Sequence, residues 1–179
     1  MNEMSKVNEV LGYSTDELRH DARHDRSASM RRRRGVVAVS LGGIAAMALT
    51  SMLQTGLVRR LPDPPVRRFD TKRINLSDEA MGYGGPDSPI VILMHAVNMV
   101  LATTGGADRA RRLPWLPMLA GALAGAQSAM AAKYLFYQMP HVDEAYCPYC
   151  IVDAFAHFAT LGLVLPEAVE AAEEVFGRR

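Results

Sequence analysis

Cys147 and Cys150 are the only two cysteines in the 179 residues, and they stand together in Tyr146-Cys147-Pro148-Tyr149-Cys150-Ile151. Two cysteines separated by two residues close a small disulfide ring and reopen it by exchange with another thiol. An apolar segment to Leu165 follows them. At the start of a helix, the free backbone N–H groups and the positive dipole end favour the thiolate, the reactive form. This predicts a dithiol/disulfide centre embedded in a membrane. A purely structural bridge is the competing reading, although so short a ring contributes little loop-closure stabilisation. No metal is expected, because zinc would need a second ligand pair at metal spacing.

Beyond the cysteines, a helix starting at Cys147 turns about 100° per residue. It therefore carries Cys150, Asp153 and His157 down one side. Ionisable groups inside a span are costly and usually face protein or water. Asp153 and His157 are thus either a proton relay beside the sulfurs or an i,i+4 pair. His95 and Asn98, three apart on an earlier apolar segment, either hydrogen-bond a quinone carbonyl or satisfy interhelical bonds. Lys133 either snorkels to the interface or favours the thiolate.

The elements that hold these residues are read from where charge is absent. The net charge is +1 with nearly balanced signs, which gives no bulk argument for nucleic acid. Gly35–Val58 is 24 residues without a charged side chain, enough for a first span. Further spans are predicted over about 89–104, 113–137 and 147–165, the last closed by Pro166. The expected fold is all-α and integral to a membrane: a four-transmembrane-helix bundle with a long exoplasmic loop between helices 1 and 2. A soluble bundle would need charged faces that these segments lack.

Residues 1–34 read as a polar, basic cytoplasmic tail. Ser14-Thr15-Asp16-Glu17 is a capping box opening a short polar helix to about Arg26. Arg31–Arg34 orients the next span by the positive-inside rule, the alternative being nucleic-acid binding. The flank and the apolar segment after it are too long for a cleaved secretory signal. Four crossings place both termini in the cytoplasm with Arg109, Arg111, Arg112, Arg178 and Arg179, and 167–179 forms a second cytoplasmic tail. The dithiol then lies on the periplasmic or exoplasmic side, where disulfides persist. The six Lys and Arg of the 58–88 loop run against this charge rule.

Prolines and glycines break that loop, which reads as a lid over a site or as a solvated connector. Ser77 is placed as the N-cap of a short helix within it. Gly121 and Gly125, amid alanines, predict close helix packing in the third span.

Cys-Pro-Tyr-Cys is also the glutaredoxin motif, but only 29 residues follow Cys150, too few for the rest of that fold. Across 35–166 the four apolar segments, the loop with Ser77 and Gly84-Gly85-Pro86, and Cys147-Pro148-Tyr149-Cys150 at the last span resemble the vitamin K epoxide reductase family. The resemblance implies a divergent, bacterial-type member in the cell inner membrane, a quinone-coupled thiol oxidoreductase. Cys150 would face the quinone and Cys147 would exchange with a thioredoxin-like partner. His95, Asn98 and Ser77 are the expected quinone contacts; membrane lipid is the remaining partner. Two features depart from the family pattern. Residues 58–88 contain no cysteine pair to shuttle electrons, so a partner thiol must reach Cys147 directly. Ala154 stands where quinone-binding members tend to place a tyrosine. The alternative reading is a non-catalytic membrane interaction or assembly protein that retains the fold.

Overall fold

The computed structural model describes residues 11–177, and all the regular elements within them are helical. Arg178, Arg179 and the first ten residues of the tail lie outside the described residues. Ser14 and Glu17 form the capping box reciprocally, and they open α1 (Thr15–His24). Ser27 then accepts from the Met30 N–H and starts α2 (Ala28–Gln54), which takes the four arginines into its first turns. After the first loop, with its short α3 (Thr71–Asn75), come α4 (Ser88–Thr103), the single-turn α5 (Arg109–Arg112) and α6 (Trp115–Lys133). A π-helical segment (Tyr134–Val142) prolongs α6, and α7 (Pro148–Phe176) completes the chain.

α2 packs against both α4 and α7, α7 packs along α6, and a less extensive contact joins α4 to α6. Small residues set the closest approaches. A side chain at Gly121 on α6 would meet the Cβ of Ala168 on α7 at 2.7 Å, whereas Gly125 faces open space. Val36, Ala102, Ala124 and Val164 bring all four helices into one buried cluster. Leu41, Leu93, Val100, Leu119, Phe136 and Phe155 point outward, so the chain has an apolar exterior as well as an apolar core. α2 and α7 are each long and apolar enough to cross a membrane.

Three element boundaries differ from expectation, each for a local reason. α7 runs through Pro166 to Phe176. A proline here forfeits one backbone bond and presses on the carbonyl four residues back, but continuing the helix buries Glu167, Ala168 and Ala171. Beyond Lys133 the chain keeps winding, in wider π turns that accommodate Pro140 and its missing N–H. In the first loop the helix is Thr71–Asn75, capped by Asp70 through the Arg73 N–H at 2.9 Å. Ser77 follows it and accepts from the Ala80 N–H in a turn.

Not all of the arginines are solvent-facing. Arg33 is 4% exposed, and its guanidinium donates to the carbonyls of Ala102, Thr104, Gly105 and Gly106. It thereby satisfies the orphan acceptors at the end of α4. Arg109 lies buried beside it, paired with Glu167 of α7 at 2.7 Å. Only part of the positive cluster is therefore a solvated flank.

Candidate functional site at the Cys147–Cys150 disulfide

Cys147 is the N-cap of α7, and its sulfur accepts from the Cys150 N–H at 3.2 Å. Pro148 at the first helical position needs no acceptor for its nitrogen, so the Cys-Pro start suits a helix entry. The two cysteines are joined as a disulfide, with Cα atoms 5.3 Å apart. A backbone N–H on Sγ at a helix N-terminus is the arrangement that stabilises a thiolate once the bridge is reduced.

The first loop closes over the sulfurs. Tyr146 donates its N–H to Arg68 O at 2.7 Å, and Asp70 returns a bond to Tyr146 O at 3.0 Å. This pins the loop beside the motif and sets Asn75 above it. Asn75 Nδ2 lies 3.3 Å from Cys147 Sγ and 3.7 Å from Cys150 Sγ. The same amide donates to Thr71 O, and Gln54 Nε2 on α2 holds the Asn75 carbonyl at 3.1 Å. Gln54 also donates to Asp87 Oδ1 at 2.7 Å, so α2, the loop and the start of α4 share one polar junction.

The two sulfurs differ in how far they are enclosed. Cys147 is 0% exposed, packed with Ile74, Met139 and Ala145, and Cys150 is 8% exposed. The loop that carries Ile74 and Asn75 covers Cys147. Cys150 instead lines a cavity of about 200 Å³ together with Asn75, Ala154, Asp153 and His157. Lys133 reaches Glu79 at 3.8 Å, and both residues lie on the cavity wall.

Below Cys150, Asp153 joins two imidazoles. His95 Nε2 is 2.8 Å from Asp153 Oδ1 and His157 Nε2 is 3.6 Å from Oδ2. The two rings stack with centroids 4.4 Å apart. His95 is fully buried behind the cavity wall, packed on Gly43 of α2. Two imidazoles and a carboxylate, with ligand atoms within 4.8 Å of one another, are also a donor set that could hold a metal ion. Asn98 donates to Gln127 Oε1 at 2.7 Å and is likewise absent from the cavity wall. Ser77 is not on that wall either. The structure thus brings Cys147, Cys150, Asp153, His157 and His95 together, holds Asn98 one residue away, and leaves Ser77 apart.

The model of the vitamin K epoxide reductase family matches residues 35–165. The chain belongs to that family. No curated protein matches the chain. Members of the vitamin K epoxide reductase family are membrane oxidoreductases that use quinone and a thiol redox partner. The family and the two apolar helices together point to a membrane protein.

Sequence reasoning missed Asn75, Gln54 and Gln127. Asp70-Thr71 preceding Asn75 carried a capping signal that competed with Ser77. Nothing local marks a glutamine on an apolar helix as facing a cavity.

Proposed function

We propose that the chain is a membrane thiol–disulfide oxidoreductase that couples Cys147/Cys150 to quinone and to a thioredoxin-like protein. The observation that carries this reading is the cavity in which Cys150 meets Asp153 and His157. Oxidation of the dithiol to the disulfide releases two electrons and two protons; a quinone takes up both pairs and becomes a quinol. A dry cavity of about 150 Å³ accepts a benzene ring, so the space beside Cys150 admits a quinone head. Asp153 and His157 carry protons between the sulfurs and the quinone oxygens, and His95 orients the carboxylate from behind.

Cys147 takes the partner's disulfide or thiol, and Cys150 resolves the mixed disulfide. Because Ile74 packs on Cys147 and residues 68–70 bond the adjacent Tyr146, exchange requires that part of the loop to lift. Four crossings, by α2, α4, α6 with its π extension, and α7, arrange residues 35–166 as the membrane domain. The tails 1–34 and 167–179 lie in the cytoplasm and the motif on the exoplasmic side, in the inner membrane of a bacterial cell.

The full-length protein, purified in detergent and given dithiothreitol, should convert a short-chain quinone to quinol with loss of the quinone absorbance. Cys150→Ser should trap partner proteins on Cys147. Absence of both signals rejects the reading. The burial of Cys147 also favours a second reading, a structural bridge in a non-catalytic assembly subunit. That version predicts that cells tolerate replacement of both cysteines.

A further inference from the structure

Gln127 on α6 is 4% exposed and lines the same cavity as Cys150. Its carbonyl accepts from Asn98 Nδ2 at 2.7 Å, while its Nε2 has no hydrogen-bond partner among the described residues. With Asn98 donating as the structure has it, turning the Gln127 amide over would set two N–H₂ groups against each other, so Nε2 is the end that faces onward. A buried amide donor without an acceptor is a standing cost that a bound acceptor relieves. The rest of the wall says what kind of acceptor. Met47, Ile90, Val91, Met94 and Met130 make it apolar, and Glu79, Asp87 and Asp153 place three carboxylates there against Lys133. Carboxylates repel an anion, so the occupant is a neutral, mostly apolar molecule bearing a carbonyl.

We propose that Gln127 Nε2 donates to a carbonyl oxygen of the quinone and that Asn98 is the positioning residue that aims it. The inference rests on the quinone-reducing reading of the cavity. It also reassigns Asn98, which acts on the quinone through Gln127 and does not touch it. The donor stays fixed as the quinone gains electrons, and the oxygen it binds becomes a stronger acceptor during reduction.

The test uses the full chain in detergent with a decyl-substituted benzoquinone and dithiothreitol. Gln127→Leu should raise the KM for the quinone roughly five- to tenfold, the scale of one neutral hydrogen bond. The reduction potential of the Cys147/Cys150 pair should stay unchanged. Infrared spectra of the carbonyl-labelled quinone on wild-type protein should show one C=O stretch at lower frequency than in empty micelles. That band should return towards the micelle position in Gln127→Leu and shift partway in Asn98→Ala. An unshifted band in the wild type overturns the proposal without any variant, and so does an unchanged KM with an unchanged spectrum in Gln127→Leu. If wild-type protein binds quinone and reduces it while Gln127→Leu behaves identically, only the Gln127 assignment fails. If wild-type protein neither binds nor reduces quinone, the reading beneath it fails too.

Discussion

The imidazole of His95 occupies the space that a side chain at Gly43 would fill: a Cβ built there overlaps Nε2, Cε1 and Cδ2 of the ring. Gly43 lies on α2 and His95 on α4, so a missing side chain on one helix admits a ring on the other. That ring then reaches Asp153 on α7 at 2.8 Å. Gly43→Ala must displace the imidazole or part the helices, with a cost of about 1–3 kcal/mol as in other overpacked cores. The expected outcome is a lower unfolding midpoint and slower quinol formation. If the reduction potential of the cysteine pair stays at the wild-type value, the slowing is assigned to the triad and not to the sulfurs.

Asn75 gives a separate handle on the sulfurs, because its amide donates to both of them. A hydrogen bond to a charged acceptor contributes about 1.5–3 kcal/mol, and here it favours the reduced, thiolate-bearing form. Asn75→Ala should therefore make the reduction potential of the Cys147/Cys150 pair more negative, by about 30 mV or more. Equilibration of the purified protein with a thiol–disulfide buffer measures it directly. An unchanged potential would show that the Cys150 N–H and the helix end stabilise the reduced pair without the asparagine.

How much of this was legible beforehand depends on whether the relevant signal is local. The cysteine spacing, the uncharged Gly35–Val58 run and the Ser14–Glu17 capping box are written in adjacent residues, and each is read without knowing the fold. Arg33, Arg109 and Glu167 are not of that kind. By sequence they are flank, loop and tail charges, yet they meet because the start of α2, the end of α4, α5 and the Glu167 turn of α7 lie side by side. Pro166 illustrates the same limit: its local preference for ending a helix yields to the burial gained beyond it. Gln127 looks like any polar residue on a small-residue helix until Asn98 is placed opposite.

The Arg109–Glu167 pair makes this non-local contribution measurable. Arg109 Nε and Nη2 donate to the two Glu167 oxygens at 2.9 and 2.7 Å, and Ser29 adds a third bond to Oε1 at 3.0 Å. The side chains are 1% and 5% exposed, so water does not screen the interaction. Removing one partner of such a pair leaves a bare buried charge and costs about 3–5 kcal/mol. Glu167→Ala should lower stability by that amount in detergent unfolding. Replacing both residues, as Arg109→Met with Glu167→Leu, should recover much of it. A loss below about 1 kcal/mol for Glu167→Ala would place the pair with ordinary surface bridges.

Asp87 ties stability to pH. Burial is the main cause that raises its carboxyl above the ordinary value of 3.8, and the bond from Gln54 opposes the shift only in part. A folded-state pKa above the unfolded one means that the folded chain holds the proton more tightly. Stability is therefore greatest below the ordinary carboxyl value, declines as pH rises from 3.8 through the folded value, and levels off above it. Asp143, also raised chiefly by burial, adds a slope of the same sign. Asp87→Asn keeps an acceptor for Gln54 and removes the charge, so it should flatten this decline. Its stability relative to wild type should thus improve as pH increases across that window. Unfolding midpoints of both proteins across acidic to neutral pH provide the check, and parallel curves would mean that Asp87 is ionised in the folded chain at no cost.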